Sequence, residues 1–124
     1  MPDAALTVLY AEDHKIVADA VKETLEEEGF RVVLCSDGAV ALQRIAGDAR
    51  YDLLVVDNHL PNVNGLEIIR YTRQLLHRRT IPIIMLSADD CQREAYRNGV
   101  NVFLKKPEGV KLLVKFVNQL LARL

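Results

Sequence analysis

Five polar residues that could carry out chemistry together each follow an apolar run of the sequence. Apolar runs that alternate with helical patterns are typical of parallel strands buried on both faces of a sheet. Ligands bind beyond the carboxyl ends of such strands, so we expect these five side chains to converge on one crevice. They are Glu12 and Asp13 after residues 6–11, Asp57 after residues 53–56, Ser87 after residues 83–86, and Lys106 after residues 102–105.

The carboxylates of this set predict a site for Mg²⁺. Glu12, Asp13 and Asp57 would lie close together, and like charges at short range are unfavourable unless a cation neutralises them. A cluster of oxygen ligands that retains several waters suits Mg²⁺. Asp13 alone could instead cap a helix that begins near His14, but the presence of Asp57 makes the metal site the better interpretation.

Asp57 could act as a nucleophile toward a phosphoryl group. That chemistry requires a phosphoryl donor, a metal that draws charge from the phosphoryl oxygens, and a cation opposite the metal. Lys106 can supply the cation, and the Ser87 hydroxyl can donate a hydrogen bond to a phosphoryl oxygen. In isolation, a solvated lysine and a strand-end serine in a local turn are the more common interpretations. Their joint placement at strand ends favours the chemical interpretation.

The elements that must position these residues alternate regularly along the chain. Five strand–helix units with right-handed crossovers predict an α/β fold, a doubly wound five-stranded parallel sheet with five helices of the flavodoxin-like type. Gly29, Gly47 and Gly99 are expected at the ends of three helices. We expect inward helix faces from Ile16, Val17, Ala20, Val21 and Leu25, from Ile68, Ile69, Leu75 and Leu76, and from Leu112, Leu113, Phe116, Val117, Leu120 and Leu121.

Length and composition fit one domain, predicted over residues 1–124. The net charge is -1 and no stripe of Lys and Arg is evident, which argues against a nucleic-acid surface. The basic cluster of Arg78 and Arg79 beside His77 is expected to be a solvated helix end. No apolar stretch reaches the roughly 18 residues that a membrane span needs.

The cysteines and the start of the chain indicate a cytoplasmic protein. Cys35 and Cys91 lack the spacing of a zinc site or a redox motif, and they suit reduced thiols. No secretory signal is evident at the N-terminus. The glycines do not form a phosphate-binding loop, and the histidines do not form a zinc pattern.

Together these motifs resemble those of response-regulator receiver domains of two-component signalling, across essentially the whole chain. In that family an acidic pair follows the first strand, where Glu12 and Asp13 stand. The resemblance therefore implies that both residues bind the metal together with Asp57. The family's phosphorylated aspartate ends the third strand, which here is Asp57, and the motif continues at Pro61 and Gly65.

The resemblance extends to the last two strands. The family has a hydroxyl residue after the fourth strand, where Ser87 stands, and a lysine before a proline, often with a cis bond, where Lys106 and Pro107 stand. It implies catalytic roles for Ser87 and Lys106, and a rotameric switch formed by Ser87 and Phe103. Leu60 replaces a common methionine, and Phe103 lacks the hydroxyl of the more common tyrosine.

For function, the resemblance implies a phosphorylation-dependent signalling switch. Asp57 would accept a phosphoryl group from a histidine kinase or a phosphotransfer protein, and binding to a downstream protein partner would change. We expect no enzyme activity beyond assistance to its own phosphorylation and dephosphorylation, and no contact with nucleic acid or membrane. The output face would comprise the fourth helix, the fifth strand and the last helix.

Two other interpretations are open. A haloacid-dehalogenase-like phosphohydrolase also uses an aspartate, a hydroxyl and a lysine. However, that class has a second aspartate where this chain has His59, and its nucleophile follows the first strand rather than the third. A degenerate receiver used only for docking is the other alternative, which the full set of site residues disfavours.

Overall fold

In the computed structural model, which describes residues 5–121, strands and helices alternate along the chain. The strands are β1 (Thr7–Ala11), β2 (Arg31–Cys35), β3 (Leu53–Val56), β4 (Ile83–Ser87) and β5 (Val102–Lys105). The α-helices are α1 (Lys15–Glu27), α2 (Gly38–Ala46), α3 (Gly65–Gln74), α4 (Gln92–Asn98) and α5 (Leu113–Leu120). Short 3-10 turns at Leu76–Arg78 and Glu108–Leu112 precede β4 and α5.

The strands form one parallel sheet in the order β2-β1-β3-β4-β5. This is the flavodoxin-like order, and it confirms the predicted fold class. Residues 1–4 and 122–124 of the predicted domain, 1–124, lie outside the described residues.

Both faces of the sheet are covered, which explains the continuous apolar runs. Every residue of β3 and β4 is buried, as expected for central strands of a parallel sheet. Alternate residues point to opposite faces, so Leu54 and Val56 lie in a core shared with α2, α3 and α4, whereas Leu53 and Val55 lie in a core shared with α1 and α5.

The predicted helix ends are confirmed. Gly29 follows the cap of α1 with φ 94°, and Gly99 caps α4 with φ 108°, in the left-handed region that glycine adopts without strain. Gly47 stands at the C-terminal cap of α2. At the other end of α2, Asp37 Oδ1 accepts the Ala39 N–H at 2.6 Å.

The predicted inward face of α1 is partly wrong. Ile16 is 77% exposed and Ala20 is also exposed, whereas Ala18 is buried and the buried face continues to Leu25. Ile16 and Ala20 each stand two residues from Ala18, which is about 200° around the helix. They therefore face solvent on the side opposite the sheet.

Two further leucines do not lie in the core. Leu76 is 83% exposed and Leu112 is 44% exposed. Both stand in the 3-10 turns, where the spacing of an α-helix no longer determines which side chain faces the sheet.

The expectation for Arg78 is also wrong, because its side chain is buried rather than solvated. Its guanidinium donates to the carbonyls of Ile45 at 2.9 Å, Gly47 at 2.9 Å and Ala49 at 2.6 Å, and lies 4.9 Å from the ring centroid of Tyr51. The carbonyls in the last turn of a helix lack partners within the helix. Arg78 supplies donors to this region at the end of α2.

No helix within residues 5–121 combines the length and the apolar character needed to cross a membrane. Both cysteines, Cys35 and Cys91, are free and buried.

Candidate functional site

The predicted site residues lie together at the carboxyl edge of the sheet. Glu12 and Asp13 follow β1, Asp57 follows β3, Ser87 is the last residue of β4, and Lys106 follows β5. The strand order sets β1, β3, β4 and β5 side by side, so their carboxyl ends open on the same side.

Lys106 joins two buried carboxylates. Its Nζ lies 2.5 Å from Glu12 Oε1 and 3.4 Å from Asp57 Oδ2. The Lys106–Pro107 peptide bond is cis, as the resemblance implied. The Lys106 N–H also donates to the Ser87 carbonyl at 2.9 Å, which fixes the end of β5 against the end of β4.

Glu12 is held by several neighbours in addition to Lys106. The Tyr10 hydroxyl donates to Oε1 at 3.3 Å, and the His14 N–H donates to Oε2 at 3.2 Å. Burial raises the pKa of Glu12, while the hydrogen bond from Lys106 opposes that effect. Burial also raises the pKa of the Tyr10 hydroxyl, and the adjacent Glu12 adds to this shift. Lys106 therefore favours the ionised form of the Glu12 carboxylate, against the effect of burial.

Three carboxylates form a cluster that fits a divalent cation. One oxygen each from Glu12, Asp13 and Asp57 lies within 4.8 Å of the other two. Asp13 is exposed, whereas the other two residues are buried, so the cluster opens to solvent on the Asp13 side. An all-oxygen set that leaves room for water suits Mg²⁺, so the donors present fit the predicted metal.

The residues after Asp57 fix its carboxylate. The Asn58 N–H donates to Asp57 Oδ1 at 2.7 Å, and the Asn58 side chain accepts the Leu66 N–H at 3.2 Å. Gly65 is required at the start of α3, because a Cβ there would collide with the Asp57 carbonyl and the end of the Met85 side chain. The end of β3 and the start of α3 are therefore in direct contact at Gly65.

Asp89 connects the loop after β3 to the loop after β4. Asn58 Nδ2 donates to Asp89 Oδ2 at 3.0 Å, and His59 Nε2 lies 2.7 Å from Asp89 Oδ1. The hydrogen bond from Asn58 lowers the pKa of Asp89, and His59 lowers it further. Sequence reasoning missed Asn58, although Asn in the loop after a strand is a common turn residue that bonds nearby backbone groups.

Ser87 and Phe103 differ in their relation to the site. Ser87 is fully buried and its Oγ accepts the Asp89 N–H at 3.2 Å, which links it to the same loops. Phe103 is half-buried and packs with the core under α2, α3 and α4. Its backbone N–H donates to the Tyr96 hydroxyl at 3.0 Å. The described hydrogen bonds of Phe103 thus lead to α4 and not to the carboxylate cluster.

Known proteins resemble this chain in sequence and in fold. A family described as the response regulator receiver domain matches residues 8–118. The alkaline phosphatase synthesis transcriptional regulatory protein SphR of Synechococcus elongatus is 36% identical over 96% of this chain and 50% of its own length. The chain spans about half the length of the curated relatives that it matches first.

Solved structures of receiver domains have the same fold as this chain. The Francisella response regulator 1452 receiver domain is 31% identical, with a TM-score of 0.86 over 95% of this chain and 98% of that one. The receiver domain of sensor histidine kinase PA1611 from Pseudomonas aeruginosa is 27% identical, with a TM-score of 0.87 over 96% of this chain and 99% of that one. That structure has a magnesium ion coordinated in its active site cleft.

These matches bear on the alternatives from the sequence. The matches cover most of this chain and the solved structure has the same fold, so they support the receiver interpretation rather than a haloacid-dehalogenase-like phosphohydrolase. The chain belongs to the family of response-regulator receiver domains.

Proposed function

We propose that residues 1–124 form a receiver domain that acts as a phosphorylation-dependent signalling switch. Asp57 accepts a phosphoryl group from a histidine kinase or a phosphotransfer protein, and the change alters binding to a downstream protein. The observation that carries this proposal is the position of Lys106 between the buried carboxylates of Glu12 and Asp57. It presents a nucleophile and a fixed cation in one crevice.

The chemistry is a transfer between two bonds of phosphorus. A carboxylate oxygen of Asp57 forms a bond to phosphorus while the bond between phosphorus and the donor's histidine nitrogen breaks, which gives an acyl phosphate on Asp57. Lys106 offers positive charge to the phosphoryl oxygens, and the Ser87 hydroxyl donates a hydrogen bond to one of them. Stabilisation by groups already in place is the main contribution a protein makes to this reaction.

Glu12, Asp13 and Asp57 are the residues that would hold Mg²⁺. When bound, the ion supplies positive charge that draws electron density from the phosphoryl oxygens. The cluster of oxygens within 4.8 Å supports this assignment. Both Glu12 oxygens already accept hydrogen bonds, which supports contact between Glu12 and the ion through a water.

Ser87 and Phe103 form the proposed switch. Movement of Ser87 toward a new phosphoryl oxygen would open space for Phe103 to turn inward, and packed cores favour such discrete states. The output face would then comprise α4, β5 and α5. Phosphorylation should shift the amide signals of Phe103 and residues 90–98 more than those of residues 32–34. Larger shifts on β2 would place the output elsewhere.

The protein would catalyse no reaction other than its own phosphorylation and dephosphorylation. Its two free cysteines are buried and suit a reducing compartment, which supports a cytoplasmic location. The net charge of -1 supports a protein partner rather than nucleic acid, and no membrane partner is proposed.

The direct test is treatment with a small phosphodonor such as acetyl phosphate, with and without Mg²⁺, followed by intact mass spectrometry. We expect one phosphoryl group on the wild type in Mg²⁺, and none on Asp57→Asn. Asp52→Asn is a matched control, because the Asp52 side chain is 14% exposed and that of Asp57 is 8% exposed. Asp52 interacts with Arg50 and the Thr7 N–H rather than with Lys106, so this variant should be phosphorylated normally. A normal mass increase in Asp57→Asn would refute the assignment.

A further inference from the structure

The loop after Asp57 is attached to the start of α2. The Asn62 side chain donates from Nδ2 to Asp37 Oδ2 at 2.6 Å, and the Gly38 N–H donates to the Pro61 carbonyl at 3.0 Å. Asn62 has φ 70°, and among residues other than glycine, Asn is one of the few that tolerate this left-handed conformation. Two hydrogen bonds and an uncommon backbone conformation thus fix the position of residues 61–62 in this loop.

Asp37 serves two elements with its two oxygens. Oδ1 accepts the Ala39 N–H and caps α2, while Oδ2 accepts the Asn62 amide. The backbone of the loop lies directly against α2, since a Cβ on Gly38 would collide with the Val63 carbonyl. The start of α2 is therefore a rigid support for the loop, although it takes no part in the carboxylate cluster.

Residues 58 and 59, at the start of the same loop, are bound on the β4 side. Asn58 and His59 both bind Asp89, which stands in the loop after β4. The loop is thus attached at residues 58–59 to the β4 side and at residues 61–63 to the α2 side. Asn58 would stay in place if the second attachment were loosened, but residues 59–63 would gain freedom to move, and the contact between His59 and Asp89 would weaken.

We propose that Asp37 and Asn62 are positioning residues for the reaction at Asp57. Their hydrogen bond holds the loop so that His59 and Asp89 stay joined beside the acceptor and restrict the approach of water to the phosphoryl group. Loss of the bond shortens the lifetime of the phosphorylated state. This inference rests on the proposed function, since it requires a phosphoryl group on Asp57.

The test measures the rate of phosphoryl loss from the wild type, Asn62→Gly, Asp37→Ser and the double variant. Gly keeps the left-handed conformation but removes the amide, and Ser keeps the helix cap but is too short to reach Asn62 as well. We expect phosphoryl loss about fivefold faster in each single variant, since one hydrogen bond is worth about 1 kcal/mol. The double variant should be no faster than the single variants, because both remove the same bond.

Two controls separate positioning from general stability. The exchange variant Asp37→Asn with Asn62→Asp rebuilds the pair with donor and acceptor reversed, and it should restore the wild-type lifetime. Val21→Ala shortens a side chain of α1 in the core on the other face of the sheet, where no described residue of the loop packs, and it should lower the melting temperature while the lifetime does not change.

The outcomes are distinct. Unchanged lifetimes in both single variants, additive rates in the double variant, or no recovery in the exchange variant would each overturn the role of Asp37 and Asn62 while leaving the proposed function intact. Absence of any phosphorylation in the wild type would instead overturn the proposed function, and this inference with it.

Discussion

The two edges of the sheet both bury charged side chains, but they compensate the charge in different ways. At the amino edge, Arg78 and Arg73 donate almost entirely to backbone carbonyls. At the carboxyl edge, Lys106 lies between the carboxylates of Glu12 and Asp57, and Asp13 adds a third acidic group.

At the amino edge, the charged donors of Arg73 have their hydrogen-bond partners within the fold. Arg73 donates to the carbonyls of Gly99 at 2.9 Å, Arg79 at 3.0 Å and Ile81 at 2.6 Å, and to Asn101 Oδ1 at 2.9 Å. Burial lowers the pKa of Arg73, but the guanidinium stays charged because arginine is among the most basic groups in proteins. Carbonyls fixed by the fold satisfy these donors in a single arrangement, and nothing more is required.

The carboxyl edge is different because its acids outnumber its cations. Lys106 can neutralise only part of the charge of the three carboxylates, and binding of a further cation would relieve the remaining repulsion. The comparison teaches that buried charge compensated by fixed dipoles supports the fold, whereas buried charge left partly uncompensated marks a site that recruits a ligand.

The largest effect should come from the amino edge. Arg78→Met removes the donors of three carbonyls, and it should lower the free energy of unfolding by about 3 kcal/mol. Urea denaturation measures this loss. Arg79→Met is the matched control, because Arg79 is exposed and its side chain should contribute little. The folded Arg78 variant should still be phosphorylated. A variant that folds normally but is no longer phosphorylated would contradict the division of roles between the two edges.

A smaller effect in free energy is expected at the carboxyl edge. Asp13→Asn should weaken Mg²⁺ binding by more than about tenfold, because it replaces a charged carboxylate ligand with a neutral amide and removes part of the repulsion that the ion relieves. Calorimetric titration measures the affinity. Asp19→Asn, an exposed residue paired with Lys15 on α1, should bind Mg²⁺ as the wild type does. Equal affinity in the Asp13 variant and the wild type would contradict the magnesium assignment.

The smallest effect concerns a pair of histidines, one at each edge. His59 contacts Asp89 in the loops beside Asp57, whereas His77 lies 2.9 Å from the Gly47 carbonyl at the amino edge. His59→Ala should shorten the phosphorylated lifetime by about fivefold or less, the value of one hydrogen bond. His77→Ala should leave it unchanged. Time courses by mass spectrometry compare the phosphorylated lifetimes of the two variants. Equal lifetimes would contradict a role for His59 in the stability of the phosphoryl group.

The sequence predicted the features that depend on local patterns. Apolar runs located the strands, and polar residues at their ends indicated the meeting of Asp57, Glu12 and Lys106, because parallel strands end at the same edge. Glycines located the helix ends for the same local reason, since few other residues adopt the left-handed conformation.

The features that sequence reasoning missed depend on contacts between distant segments. The burial of Arg78 requires carbonyls about thirty residues earlier in the chain, and no local pattern reports them. The Asn62–Asp37 bond likewise joins two loops that only the fold brings together. Ile16 was assigned to the wrong side of α1 because apolar character alone did not fix which face of the helix meets the sheet.

The most direct test of the account is to locate the phosphoryl group on the chain. Borohydride reduces an aspartyl phosphate to homoserine, and fragmentation of the peptide that contains both Asp52 and Asp57 distinguishes the two positions. We predict homoserine at residue 57 alone, formed only in protein treated with phosphodonor and Mg²⁺. Homoserine at Asp52 or at any other aspartate, with residue 57 unmodified, would contradict the central claim.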